Sequence, residues 1–299
     1  MVTFNDFCIK TFGGKAYKLA LNGGMTCPNR DGKAGTGGCI FCSAGGSGDF
    51  TPPPSMPVDE QIERAKRMVS KKYRGEKYIA YFQAFSNTYA PVSYLRELYE
   101  SVITRDDIVC LDIATRPDCI DDDVIGLISE LNRIKPVWVE LGLQTSKPDS
   151  AKYIRRGYEN AVYADAVKRL NVAGVHTVTH IILGLPGEST EDMVNSVRFA
   201  VTSGTKGIKL QLLYVLEGTD LADDYRAGMF ETLSPDMYIE ILKKCISVLQ
   251  EDTVVHRLTG DGPKRLLIAP LWSGDKKKVI NRIKKELGAG NNNKIDKKL

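Results

Sequence analysis

An α/β fold built on a parallel sheet is what this chain of 299 residues predicts. Three observations carry that expectation. Strand-like segments alternate with helix-like ones, and right-handed helical crossovers then place the strands parallel. The helical segments open on capping residues and close on glycine. No solenoid-type repeat offers a competing architecture.

Each element has its own warrant. Ala16 to Leu21 reads as the first strand. A glycine-rich loop bearing cysteines, Asn22 to Asp49, follows, and Pro52, Pro53 and Pro54 break the chain again. Val58 to Tyr73 is helical, with Ile62, Ala65 and Val69 along one face. Lys77 to Phe85, rich in Tyr and Phe, is the second strand, and Val92 to Ile103 the next helix. Ile108 to Thr115 is a strand. Asp121 to Ile134 is a helix opened by acids, with Val124, Leu127, Ile128 and Leu131 aligned. Val137 to Leu143 is a strand, and the helix Ala161 to Ala173 stops at Gly174. Val175 to Leu183 is a strand. Ser189 and Asp192 form a capping box for a helix ending at Ser203 before Gly204. Ile208 to Val215 is the sixth strand, and Ser234 with Pro235 starts another helix. Six such units are too few for a closed eight-stranded barrel. A partial barrel and a doubly wound sheet both remain, and in either the site lies at the carboxyl ends of the strands.

Composition narrows the class. Apolar residues are 42% and charged residues 26%, which excludes a disordered or collagen-like chain. No apolar stretch approaches the ~20 residues of a membrane span, and the first twenty residues show no apolar signal core. A cytoplasmic location without membrane contact is therefore expected. There a cysteine cluster reads as a metal or catalytic site rather than a disulfide set. The net charge of +4 is small, but Asp275 to Leu299 is predominantly basic. That arm and Arg64, Lys66, Arg67, Lys71 and Lys72 are candidate phosphate contacts. On the arm, Lys277, Asn281, Lys284 and Lys285 share a helical face, and its last dozen residues are expected to be disordered when free.

Cys27, Cys39 and Cys42 follow the first strand with C-x11-C-x2-C spacing. The CxxC pair brings two thiolates to one metal centre, and the glycines between Gly32 and Gly38 let the third return. Structural zinc wants four protein ligands, whereas a [4Fe–4S] cluster held by three cysteines keeps one iron open. An iron–sulfur cluster, a zinc site and inert thiols are all compatible with the spacing. Cys8, Cys110 and Cys245 read as core, and Cys119 as a loop thiol.

The motif Cys39-Ile40-Phe41-Cys42, with its distant Cys27, resembles the cluster loop of radical S-adenosylmethionine enzymes. The wide first gap resembles the branch containing the Elongator catalytic subunit. Further ordered matches are Thr115-Arg116-Pro117-Asp118, Val139 to Thr145, Arg155-Arg156-Gly157, His180 to Glu188, and Gly218-Thr219. Cys27 to Gly32 and Leu258 to Trp272 resemble the short bacterial branch, the YhcC/YtqA type.

The resemblance implies a partial (β/α)6 TIM-like barrel with a small C-terminal extension. Residues 1–255 form the core, with the cluster loop at 22–49, and 256–299 the extension with its basic, partly disordered tail. It implies a [4Fe–4S] cluster on Cys27, Cys39 and Cys42, and S-adenosylmethionine as second cofactor. Carried over, the Phe41 main chain meets the adenine, and Gln144 and Arg156 meet the methionine end, Arg156 pairing its carboxylate. Ala84, Ser86 and Asn87 stand where relatives hold the amino group, here without glycines. His180 faces the cofactor. Ala114 stands where relatives place a ribose-binding Glu. Glu140 is a candidate structural partner of Arg116. The implied reaction is hydrogen abstraction by a 5′-deoxyadenosyl radical, with tRNA as substrate and a reductase or flavodoxin-type electron donor. The edited group would be the carboxymethylaminomethyl side chain of the wobble uridine, taken to aminomethyl. A small-molecule substrate is the alternative, and a zinc-bearing nucleic-acid-binding protein a third reading.

Overall fold

The computed structural model describes residues 2–260 and 262–288. Its centre is an eight-stranded, wholly parallel sheet curled into a half-barrel. In chain order the strands are β1 (Val2–Thr3), β2 (Tyr17–Leu21), β3 (Tyr78–Phe82), β4 (Ile108–Thr115), β5 (Val137–Gln144), β6 (His176–Leu183), β7 (Gly207–Leu212) and, after the short β8 (Val215–Leu216), β9 (Val254–Arg257). The spatial order is β1-β9-β7-β6-β5-β4-β3-β2. The strand β10 (Leu267–Ala269) pairs antiparallel with β8 as a separate ribbon.

The helices cover the outer face: α2 (Val58–Val69), α3 (Val92–Ile103), α4 (Asp122–Ile134), α6 (Asn160–Val172), α7 (Thr190–Thr202) and α9 (Pro235–Ser247). Their starts follow the capping logic. Asp121 accepts from the Val124 amide, Ser189 and Asp192 form the reciprocal box, and Ser234 accepts from Met237. The aligned face of α4, Val124, Leu127, Ile128 and Leu131, is buried. Each such side chain contributes about 1.5–3 kcal/mol.

The six expected strands are β2 to β7, and the sheet continues by two. The short β9 crosses the boundary expected at residue 255, so the core sheet extends into residues assigned to the extension. Helix α1 (Phe4–Phe12), unread in the sequence, is capped by Thr3 and packs Phe4, Phe7 and Phe12 around Trp138. Cys8, Cys110 and Trp138 are buried in that cluster at the amino ends of the strands. This plug leaves the carboxyl ends as the open mouth. The short helices α5 (Pro148–Tyr153) and α8 (Asp220–Arg226) stand at that mouth, and α10 (Lys276–Gly288) packs Val279 and Ile283 inward beyond α9. Of the last dozen residues, expected to be disordered, Gly288 ends α10, and 289–299 lie outside the described residues. No described helix is long and apolar enough to cross a membrane.

Candidate radical cofactor site

The loop between β2 and α2 folds back over the mouth. Its three cysteines are free, half-buried thiols lining one cavity of about 480 Å³. The local turns are tight: the Arg30 amide donates to Cys27 O at 2.8 Å, and the Cys42 amide to Cys39 O at 3.0 Å. Ile40 ties the CxxC turn to the barrel rim, donating to Ile154 O and accepting from Leu221. The Asn29 side-chain amide reaches Cys39 Sγ at 3.5 Å and Arg155 O at 2.6 Å. The Arg30 guanidinium holds the Ser43 carbonyl at 2.6 Å.

Burial pushes the Cys39 thiol up to about 12, and the nearby Cys42 and Cys27 add to the shift. Burial raises Cys42 as well, against Arg30. A metal centre reverses that preference, because a coordinating thiol is deprotonated outright. Among the described residues no three His, Cys, Asp or Glu side chains converge as a single ion requires. Three neighbouring thiols spread around a cavity fit a multi-iron cluster better than mononuclear zinc.

Facing the cysteines is a strained rim. Ser47, Phe85 and Gln144 have φ of 68°, 59° and 64°, and all three line the cavity. Non-glycine residues in this region cluster at ligand sites. Phe85 is held there by Gly46: its amide donates to Gly46 O at 2.9 Å, and a Cβ on Gly46 would lie 2.3 Å from the Phe85 ring. Gln144 Oε1 and Ser86 Oγ are buried without a hydrogen-bond partner. Such orphaned acceptors beside the cysteines fit a bound group carrying donors. Phe41 lines the same cavity and packs beside Ile40, Ile182 and Leu213.

Three expected contacts sit differently. Every Arg156 N–H is already used: on Leu143 O and Thr145 O at 3.0 and 2.7 Å, twice on Tyr158 O, and on Asn160 Oδ1. The bulge at Gln144 turns those carbonyls away from the sheet, and Arg156 satisfies them. It therefore positions Gln144 and has no N–H left for a carboxylate. Asn87 is fully buried, off the cavity wall, with its amide on Phe82 O and Ala114 O. The Ala84 side chain lies beneath Gly48, where a Cβ would come within 2.5 Å of it.

His180 does line the cavity, and its Nε2 lies 2.7 Å from Glu140 Oε2. Glu140 belongs to an interior network and not to Arg116, which pairs with Asp118 at 2.7 Å. Glu140 meets Lys18 at 2.8 Å, Tyr81 at 2.8 Å and Lys209, while Lys18 also pairs with Asp112. Burial pushes the Glu140 carboxyl up, but Lys18, Lys209 and His180 together hold it well below the usual range. Burial pulls Lys209 down to about 7, with Glu140 opposing. Asp112 is raised to about 7 by burial and by Glu140. Lys18, Tyr81, Asp112 and Lys209 were not singled out in the sequence. Their signal was present: a charged residue inside an apolar strand, such as Lys209 between Ile208 and Leu210.

A half-barrel with a tri-cysteine loop over its mouth defines the class. The chain belongs to the radical SAM superfamily, whose description matches residues 29–200, and the Radical_SAM C-terminal domain matches 205–289. Its relatives place it in the Elongator-like branch. It is 44% identical to YtqA of Bacillus subtilis over 285 residues, 95% of this chain and 88% of that protein. A tRNA uridine(34) acetyltransferase of Methanocaldococcus infernus is 25% identical over 54% of this chain and 30% of that one. Among solved structures, the archaeal Elp3 of Methanocaldococcus infernus superposes with a TM-score of 0.65 at 18% identity, covering 91% of this chain and 63% of that one.

Radical SAM enzymes use a [4Fe–4S] cluster and S-adenosylmethionine, and the protein is an enzyme of that class. The residues present fit both groups: three thiols for the cluster, and Gln144, Ser86 and Phe41 around the space beside it.

Proposed function

We propose that the enzyme edits the wobble uridine of tRNA, converting a carboxymethylaminomethyl side chain to aminomethyl. The observation that carries this reading is the family match, which takes in Cys39 and Cys42 of the cluster loop, together with a relative named for uridine 34 of tRNA. The proposed ligands of the cluster are Cys27, Cys39 and Cys42. When bound, the cofactors supply a one-electron reduction and a hydrogen-abstracting 5′-deoxyadenosyl radical. The protein's own work is orientation and exclusion of water. Gln144 Oε1 and Ser86 Oγ offer acceptors to the ammonium end of S-adenosylmethionine. Phe41 and Ile182 supply an apolar flank for its adenine. Arg156 fixes the backbone that presents Gln144.

The conversion balances as a two-electron oxidation of the N–CH2 unit next to the carboxylate, followed by addition of water. It yields the aminomethyl group and a two-carbon oxo acid. One electron leaves with the abstracted hydrogen atom and the other passes to a reductase or flavodoxin-type partner, which also supplies the initial reduction.

Phosphate contacts fall to basic side chains on the surface. Lys66 is committed to Glu63 and Asp107, whereas Arg64, Arg67, Lys71 and Lys72 are exposed. Mass spectrometry of total tRNA nucleosides from cells with and without the gene tests the reading. Accumulation of the carboxymethylaminomethyl form without the gene is expected, and identical nucleoside profiles overturn it.

A further inference from the structure

Six cationic side chains other than His180 line the cavity, and five are already committed. Lys18 and Lys209 are taken by Glu140, Arg116 by Asp118, and Arg30 and Arg156 by backbone carbonyls. Arg257 alone has no ion-pair or hydrogen-bond partner among the described residues. Among the described residues, the carboxylates on the wall do not answer it. Glu140 is saturated by its own cations, and Asp49 accepts from Ser43 at 2.8 Å on the cluster loop.

The position of Arg257 is built by the sheet. Its register partner on β7 is Lys209, whose register partner on β6 is His180. Three nitrogen-bearing side chains on adjacent strands thus form one rung of the wall, with Gln211 one step higher on β7. Five strands separate β9 from β2, the strand from which the cysteine loop departs. The rung therefore lies across the cavity from the strand that carries the cluster loop. Its charges act on one another: Arg257 helps to depress both Lys209 and His180. An unanswered guanidinium in a half-enclosed cavity is costly in the free protein, and an arriving anion removes the cost.

The geometry points to Arg257, backed by Lys209 and Gln211, as the anchor for a carboxylate of the substrate. Arg257 supplies a planar fork that matches two carboxylate oxygens. Lys209 stays on Glu140 and contributes charge rather than a direct bond. The wobble-uridine reading supplies only the identity of that carboxylate, the one on the carboxymethyl group, while the anion site itself rests on an arginine with no partner among the described residues. S-adenosylmethionine also carries a carboxylate, so the test has to separate the two sources.

Trifluoroacetate is the probe, followed by fluorine NMR line width on the cluster-loaded enzyme. Wild-type protein should broaden the signal, R257Q should abolish the broadening and R257K should restore part of it. Broadening unchanged in R257Q overturns the anchor. Saturating S-adenosylmethionine should leave the broadening in place, and its complete displacement would assign the site to the cofactor and overturn the substrate assignment. R257Q should melt at the same temperature as wild type or higher, since it removes an unanswered charge, and a lower melting temperature with unchanged broadening marks a structural arginine. In a second arm, 5-carboxymethylaminomethyluridine should bind about tenfold or more tightly to wild type than to R257Q. Binding of 5-aminomethyluridine should not distinguish the two proteins. Loss of trifluoroacetate binding without nucleoside discrimination keeps the anion site and removes the wobble-uridine reading.

Discussion

Arg156 illustrates how a single side chain can be misassigned from its position in a motif. Its neighbourhood of Arg155 and Gly157 suggested a free guanidinium for a carboxylate, yet five hydrogen bonds to Leu143, Thr145, Tyr158 and Asn160 consume it. The sequence does not announce the bulge at Gln144, and the bulge creates those acceptors. Arg156→Ala should therefore destabilise the fold by ~3 kcal/mol or more, because it strands buried carbonyls. Arg156→Lys should not rescue it, since one ammonium cannot span the set. Denaturant titration of the cluster-free protein measures this, and unchanged stability with weakened S-adenosylmethionine binding would return Arg156 to the cofactor. The cysteines behave oppositely. Cys27→Ala, Cys39→Ala or Cys42→Ala should each abolish the brown colour near 400 nm of anaerobically purified protein. Replacement of the core thiols Cys8, Cys110 or Cys245 should leave it. Loss of iron in Cys119→Ala would add a ligand to the set; Cys119 lies outside the cysteine cavity, and burial pushes its thiol up to about 12.

Among the elements, the cluster loop owes its shape to glycines at a few close approaches. Gly46 has φ of 56° and lies against the Phe85 ring, and Phe85 is itself held at positive φ by the Gly46 carbonyl. Each conformation supports the other, so the loop and the segment after β3 close as a pair. Gly46→Ala adds a Cβ at 2.3 Å from the ring and penalises the left-handed backbone as well. The expected outcome is lower iron content after reconstitution, with far-UV circular dichroism unchanged because the sheet does not depend on this contact. Full iron loading would show that the loop forms independently of Phe85. Strands and helices were legible because each carries period and caps in its own residues. The boundaries of α4 and α7 follow from Asp121 and Ser189. Helix α1 carries the same signs, Thr3 as cap and Phe4, Phe7 and Cys8 on one face. The partners of Glu140 were not legible, because they come from strands up to 122 residues away.

For the whole molecule, the half-barrel sorts its charge by place. Inside, Asp112 and Glu140 are matched by Lys18 and Lys209, and the sheet holds them rigidly. Outside, the basic helices sit apart: α2 packs on β2, at one end of the strand order, and α10 packs on α9. Helix α10 turns Val279 and Ile283 inward and leaves Lys277, Lys278, Asn281 and Lys285 exposed, with Lys284 half-buried. Two of its cations are partly occupied, Arg282 by Asp236 and Lys278 by Asp275. Among the described residues, Lys277 and Lys285 are the exposed cations of α10 left to neutralise phosphate. If tRNA docks here, the double charge reversal Lys277→Glu/Lys285→Glu should weaken binding and flatten the dependence of log affinity on log salt. Two lost phosphate contacts lower that slope by about 1.4–1.8 units, between the single- and double-strand limits. Stability should be unaffected, because both side chains are solvated. The same reversal on Arg64 of α2 and Lys71 in the turn after it tests whether the other edge shares the load. A slope unchanged by both reversals, with tRNA still bound, would place the contact surface elsewhere on the molecule. Salt-independent binding would leave the cavity, with its unanswered Arg257, as the main determinant of substrate choice.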